Sequence, residues 1–317
     1  MYRRVLVPLD GSTVAMQILP YTAHIAQAAG AKLELMQVIS PYPRELMREL
    51  TRENLEGQPR TTPLYEQWAS VQESIRRRAM KALNEASASM RGSGLDVTVT
   101  VDEGDPAQEI LDVAGLEPDT IIAISTHGRS GVGRWLVGSV TDKVVRHAAE
   151  PVLVVRSRDG EVTSAAPRFE RVILPMDGSP TSEAAMPDAI AVANALGIGM
   201  TLLRSVTPID YGDAFADYAV SAYEEVTAEI DNEVRDYLSA KAELVRGAGV
   251  MDVTQHAAGS PAATAILDAE GPEGNNLIVM STHGRAGVGR WVLGSVTDRV
   301  VRHSAGPVLV VRPKNAA

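Results

Sequence analysis

One passage occurs twice in this chain. Residues 125–156 read STHGRSGVGRWLVGSVTDKVVRHAAEPVLVVR and residues 281–312 read STHGRAGVGRWVLGSVTDRVVRHSAGPVLVVR; six of the 32 aligned positions differ, so 26 are identical. The match extends upstream more loosely, with VLVPLDGS at 5–12 answering VILPMDGS at 172–179 and GDPAQEI at 104–110 answering GSPAATA at 259–265. A period of 156 residues is far longer than a solenoid unit and holds several strands and helices, so each copy must close around its own core. SRDGEVTSAAPR at 157–168 is polar, rich in small residues and aperiodic, which suits a linker. Two domains are expected, residues 1–157 and residues 168–313.

Within copy one, short β-branched runs alternate with longer amphipathic stretches. They are RVLVPL, a helix to Ala29, KLELMQVI, a helix near 64–90, DVTVTV, a helix near 106–115, TIIAIST, a helix near 139–149 and PVLVV. Copy two repeats this order. Strands joined by helical crossovers predict an α/β fold, a parallel sheet with helices on both faces. Pro20 and Pro187 hold matching places in the first helix of each copy and predict a kink or interruption near its start. PYPRELMRELTRENLEGQPRTTP at 41–63 is longer and more polar than its counterpart near 208–218, which predicts a flexible surface excursion and a candidate lid.

Composition narrows the function classes. With 40 acidic and 30 basic residues the formal net charge is −10, which disfavours broad attraction to nucleic acid or anionic lipid, so neither is expected as a partner. The lack of cysteine excludes disulfides, thiolate metal sites and cysteine nucleophiles. The 45% hydrophobic content suffices for two cores. No apolar stretch approaches the ~18 residues of a membrane span, and a cytoplasmic protein is expected.

In TIIAISTHGRSGVGRWLVGSVTDKVV a buried-type strand enters a loop carrying Gly128, Gly131, Gly133 and Gly138, after which Ser139 opens an apolar-periodic helix. This is the layout of an anion site: glycines let backbone N–H groups approach phosphate oxygens, and the helix start adds unpaired donors and positive dipole. Ser139 and Asp142 also read as a capping pair, so the serine is open to capping, phosphate contact or both. Neither general phosphate motif is present. GxxxxGK[ST] does not occur, and Leu136 stands where the dinucleotide fingerprint begun by Gly131 and Gly133 needs a third glycine.

The spacing instead resembles the universal stress protein signature, G-x2-G-x9-G-[ST], as Ser125-x2-Gly128-x9-Gly138-Ser139 and again as Ser281-x2-Gly284-x9-Gly294-Ser295. The resemblance includes the first strand with its terminal aspartate, Asp10 or Asp177, and the closing PVLVV strand, and it covers nearly the whole chain twice. Serine departs from the signature's first glycine at 125 and 281; if that backbone takes positive φ, serine is strained there. The resemblance implies two tandem Rossmann-like domains of the adenine nucleotide alpha hydrolase-like type, each an open five-stranded parallel sheet of order 3-2-1-4-5. It implies ATP, with or without Mg2+, bound beyond the strand ends where that order reverses, which is also where ligands bind in open α/β sheets.

On the same resemblance, Asp10 and the backbone of Val38 hold adenine and ribose, Pro8 shapes the adenine wall, and Ser125, Thr126 and His127 lie along the ribose. Gly128, Gly138 and Ser139 hold the phosphates, with Arg129, Gly131 and Val140 completing the set. The copy-two set is Pro175, Asp177, Val206, Ser281, Thr282, His283, Gly284, Arg285, Gly287, Gly294, Ser295 and Val296. Asp10 and Asp177 also read as turn residues capping the next helix. Arg129, Arg134, Arg285 and Arg290 read either as phosphate partners or as solvated loop residues. His147 and His303 suit a helix C-terminus, and no metal site is expected because no second ligand stands at helical spacing. Trp135 and Trp291 read as packing or interface anchors.

In the family the last strands pair across a dimer axis, and a bare apolar edge invites pairing. The strands at 151–155 and 307–311 are therefore expected to pair within the chain as a pseudo-dimer, with further homo-oligomer formation open. The leading functional reading is an ATP-binding stress-response module whose nucleotide occupancy changes its conformation or partners. Two alternatives stand beside it. Slow ATP hydrolysis has no general base placed near the phosphates except His127 and His283, and no catalytic residue is assigned. A nucleotide-free interaction protein would use the glycine loop only as a connection.

Overall fold

The computed structural model describes residues 2–40, 62–126, 138–156, 167–206, 220–282 and 293–313. Copy one runs β1 (Arg4–Pro8), α1 (Leu19–Ala29), β2 (Lys32–Ile39), α2 (Thr62–Gly92), β3 (Val97–Glu103), α3 (Pro106–Gly115), β4 (Thr120–Ser125), α4 (Ser139–His147) and β5 (Val152–Val155). Copy two runs β6 (Arg171–Pro175), α5 (Met186–Leu196), β7 (Gly199–Ser205), α6 (Val220–Gly247), β8 (Val253–Ala258), α7 (Ala262–Glu270), β9 (Leu277–Ser281), α8 (Ser295–His303) and β10 (Val308–Val311). The expected linker lies outside the described residues apart from Pro167 and Arg168, and the expected excursion apart from Thr62 and Pro63.

Local chemistry sets these boundaries. Asp105 accepts the Gln108 N–H at 3.0 Å and Pro106 follows as the first residue of α3, a capped helix start. Gly30 ends α1 with φ 62°, returning its N–H to the carbonyls of Ala26 and Gln27. Pro20 and Pro187 do interrupt the helices, at the very start: each is the second residue of α1 or α5. The turn before each is a separate piece, the 3-10 segment Ala15–Ile18 or the short α-helical turn Pro180–Glu183. All six residues of β4 are buried, as a strand covered on both faces requires.

Each half has the order 3-2-1-4-5 with all of its pairs parallel. The halves then join into one ten-stranded sheet of order β3-β2-β1-β4-β5-β10-β9-β6-β7-β8. The join is antiparallel, with Leu153 opposite Leu309. The two PVLVV strands are therefore interior, and β3 and β8 are the edges.

Alternation along the strands gives the sheet two apolar faces. Val5, Val7, Leu33 and Leu153 share one face with Val172, Leu174, Met200 and Leu309, beneath α1, α2, α5 and α6. Leu6, Ile122, Val152 and Val154 share the other with Ile173, Ile278, Val308 and Val310. Both cores run across the seam without a break, so the copies do not close around separate cores as the length of the repeat predicts: pairing of the two last strands joins the apolar faces of both sheets. Tyr21 and His24 pack their rings against Phe169 at 6.0 and 5.6 Å, and the Tyr2 hydroxyl bonds to Asp188 of copy two. On the opposite face, the Arg312 guanidinium donates to the Arg146 carbonyl. No helix among the described residues is long and apolar enough to cross a membrane.

Because the cores are continuous, the halves are expected to unfold together. Leu309→Ala, at a position 1% exposed on the seam, is expected to cost about 2–5 kcal/mol in a urea titration. One transition shared by all probes is expected in wild type; two resolved transitions would show that the halves are independent.

Candidate functional site

The site begins where the central strand of each half ends. The last rung between β1 and β2 is the Leu9 N–H donating to the Met36 carbonyl at 2.7 Å. Asp10 then folds a turn: its Oδ1 accepts the Ser12 N–H at 2.9 Å and the Ser12 hydroxyl at 2.6 Å, and Gly11 adopts φ 80°. Ser12 Oγ accepts the Ala15 N–H at 3.1 Å and starts the next turn. Copy two repeats this with Asp177, Gly178 at φ 85° and Ser179, at 2.9, 2.6 and 3.1 Å. Glycine is needed at 11 and 178 because φ is positive. The aspartates form the turn, and the capping falls to the serines.

β1 lies between β2 and β4, so the connections leave its end in opposite directions and open a crevice there. Pro8 and Pro175 close β1 and β6 at its base, half-buried. The far wall comes from β4 and α4. Thr126, 2% exposed, donates its N–H to Val155 at 3.0 Å and accepts the Gly138 N–H at 2.7 Å. Thr141 Oγ1 donates to the Ser125 carbonyl at 2.8 Å. These bonds pin the start of α4 onto the end of β4. Copy two has the same pins, Gly294 N–H to Thr282 at 2.8 Å and Thr297 Oγ1 to Ser281 at 2.9 Å.

Two expectations change here. The proposed Ser139–Asp142 capping pair does not form: Gly138 is the N-cap, Ser139 is the exposed first helical residue, and Asp142 pairs with Arg146 at 2.8 Å. Copy two matches, with Gly294 as cap, Ser295 exposed and Asp298 paired with Arg302 at 2.8 Å. Gly138 and Gly294 supply no side-chain cap, and among the described residues no other side chain caps these helix starts, where the first N–H donors and the positive end of the dipole gather. The serines at 125 and 281 end β4 and β9 in extended backbone, and Asp119 is the one non-glycine with positive φ among the described residues. Serine in place of the signature glycine is therefore unstrained.

Gly138 is explained by approach rather than by dihedral. Its φ is −59°, but a β carbon would stand 3.2 Å from the Thr126 carbonyl oxygen. Val140 and Val296 follow on the first turns of α4 and α8, half-buried. His147 and His303 lie in the last turns, exposed, and His147 Nδ1 donates to the Lys143 carbonyl at 2.7 Å, the helix-end arrangement expected. His127, Gly128, Arg129, Gly131, Arg134 and Trp135 lie outside the described residues, as do His283, Gly284, Arg285, Gly287, Arg290 and Trp291.

The strand register corrects one correspondence. Met36 faces Pro8 and Leu203 faces Pro175, which sets Val38 opposite Ser205 rather than Val206. Val206 turns its N–H away to the Ala258 carbonyl of β8 at 2.8 Å. Peptide groups two residues apart on a strand point the same way. Val38 and Ser205, two beyond Met36 and Leu203, thus direct theirs toward the crevice past the ends of β1 and β6. In copy two a cavity of about 340 Å³ opens there, lined by Asp177, Arg204, Ser205, Ile230 and Glu233 among others. Neither Arg204 nor Ser205 stood out in the sequence; aligning the copies from the ends of their first strands would have found both.

A five-stranded order duplicated in one chain, with an aspartate turn and a glycine-entered helix at each reversal, defines a tandem Rossmann-like α/β protein. Residues 1–156 and 168–312 each match the profile of the universal stress protein family, to which the chain belongs. A universal stress protein of Mycolicibacterium smegmatis is 27% identical over 314 residues, covering 98% of this chain and 97% of the relative. One from Mycobacterium bovis is 26% identical, covering 97% and 94%. Among solved structures, a universal stress protein from Archaeoglobus fulgidus superposes with a TM-score of 0.66 at 22% identity over 98% of both chains. A functionally unknown protein from Pseudomonas aeruginosa gives 0.63 at 14%, over 98% of this chain and 93% of that one. These structural likenesses concern the fold.

Copy two also carries a polar network behind its crevice. Glu183 accepts the Tyr237 hydroxyl at 2.7 Å and the Lys241 ammonium at 2.6 Å. Burial pushes the Glu183 carboxyl up, but those two bonds and the lysine charge together hold it below the usual carboxylate range. Burial first, then the Glu183 bond, raises the Tyr237 phenol. A depressed carboxylate contributes stability that is in place above its unfolded value near ~4.3 and is lost as pH falls through the lower folded value. Wild type is accordingly expected to exceed Glu183→Gln in urea midpoint at pH 7, with the gap closing by about pH 3; a gap unchanged with pH would contradict the ion pair.

Proposed function

We propose that this universal stress protein binds adenine nucleotide, ATP with or without Mg2+, in two crevices per chain, and that occupancy acts as a regulatory or interaction signal. The observation that carries the reading is the arrangement at each switch point: a helix start entered through glycine is pinned to the end of the strand next to the one that delivers Asp10 or Asp177. Exposed Ser139 and Ser295, with the first N–H groups of α4 and α8, suit phosphate oxygens. Aspartate carboxylates suit ribose hydroxyls, and the crevice-facing peptide groups of Val38 and Ser205 suit the edge of a base. The signature spacing supports the same division, with Gly128, Arg129 and Gly131, and Gly284, Arg285 and Gly287, completing the phosphate side.

The first N–H groups of α4 and α8 suit phosphate oxygens, and the two general-base candidates, His127 and His283, lie outside the described residues. Mg2+ would arrive with the nucleotide, since no three His, Asp or Glu side chains cluster for a metal among the described residues.

A side chain at Gly138 meets the Thr126 carbonyl at 3.2 Å, a contact the pinned backbone has little room to relieve. Gly138→Val with Gly294→Val is expected to weaken binding of a fluorescent ATP analogue at least tenfold while thermal unfolding stays cooperative. Equal binding by wild type and the double variant would contradict the assignment.

A further inference from the structure

The two crevices are not chemical copies of each other. Matching β2 with β7 by register puts Arg204 at the place of Gln37. The helices above can be matched as well. Arg91 donates to the Val97 carbonyl at 3.0 Å and Arg246 to the Val253 carbonyl at 3.2 Å, each residue closing its helix onto the next strand. Counting back from these arginines, Tyr237 replaces Ala82, Lys241 replaces Ala86 and Glu233 replaces Arg78.

Arg204 is 9% exposed, yet it lines the 340 Å³ cavity with Asp177, Ser205 and Glu233. Its guanidinium carbon lies 4.7 Å from the centre of the Tyr237 ring, whose hydroxyl donates to Glu183 and over which Lys241 Nζ also lies, at 5.4 Å. Its contact with Glu233 is 3.9 Å long and that carboxylate is 74% exposed, so the pair contributes little by itself. Copy two thus presents a seated guanidinium beside a carboxylate that can still turn toward a ligand. In copy one the matching places hold a buried amide, Gln37, and an exposed guanidinium, Arg78.

We propose that both crevices accept adenine nucleotide and that they differ in preference: the copy-two crevice favours a guanine base over adenine, and the copy-one crevice the reverse. The inference rests on the nucleotide reading above and concerns only the base. Guanine offers two adjacent acceptors, O6 and N7, which match the guanidinium fork, and its N1–H and N2 amino donors match the Glu233 carboxylate. Adenine offers an amino donor beside N7, which a guanidinium opposes donor to donor. An amide that both accepts and donates, like that of Gln37, matches adenine N6 and N7. Tyr237 contributes by holding the Arg204 plane, a use to which lysine is less suited.

The test is calorimetric titration of the full-length chain with ATP and, separately, with GTP, both with Mg2+. Wild type is expected to bind each nucleotide tightly at one site and at least tenfold more weakly at the other. Arg204→Gln, which copies the residue of copy one, should weaken the tight GTP site at least tenfold and tighten the second ATP site. Arg204→Lys, which keeps the charge and loses the fork, should also weaken GTP. Two wild-type sites with one shared base preference would overturn the inference and leave the two-site nucleotide reading standing. GTP affinity unchanged in a folded Arg204→Gln chain would overturn it too. Failure of wild type to bind either nucleotide would overturn both readings, and the wild-type titrations need no variant to fold.

Discussion

The antiparallel pairing of β5 with β10 is the interaction on which the rest of the molecule depends. Each PVLVV strand alone would be an apolar edge with unpaired backbone groups. Paired, the two strands turn two five-stranded sheets into one of ten, and they place Leu153 and Leu309 at the centre of a core that spans both copies. The seam also fixes where the crevices stand. Thr126 and Thr282, which hold the starts of α4 and α8, donate their own N–H groups to Val155 and Val311 on the seam strands. The scaffold of each crevice is thus hydrogen-bonded directly to the join.

The second constraint is the closing of a loop at its base. Gly138 and Thr126 are bonded to each other although twelve residues apart, and Thr141 bonds to Ser125 just beside them. The strand end and the helix start are therefore bonded directly to each other. This gives Gly138 its physical reason, closeness to a carbonyl, and explains why serine is acceptable at 125, where the backbone is still strand. A conserved-looking glycine pattern can thus combine positions with different physical causes: Gly11 and Gly178 answer to positive φ, Gly138 to contact.

Much of this was legible in the residues. The repeated 32-residue passage announced the duplication, the alternation of β-branched runs with amphipathic stretches announced a parallel α/β sheet, and the family spacing implied the strand order in each half. The misses came where one residue of register or one hydrogen bond decides. Val206 resembles Val38 in side chain, but backbone pairing makes Ser205 its counterpart. Ser139 and Asp142 had capping spacing, yet the cap is Gly138 and the aspartate is drawn off by Arg146. Arg204, in the run TLLRSV, gave no sign of facing a cavity because strand composition does not reveal what lies beyond its end. The glycine-loop residues from His127 and from His283 lie outside the described residues and rest on spacing alone.

The duplicated frame and the unequal walls together describe a chain that keeps one architecture for two crevices and varies the side chains that line them. We propose that each crevice holds a nucleotide. Native mass spectrometry of the full chain, before and after incubation with saturating ATP, tests this most directly. The account predicts that bound mass rises to two nucleotides per chain; persistence of the bare chain mass at saturating ATP would contradict it.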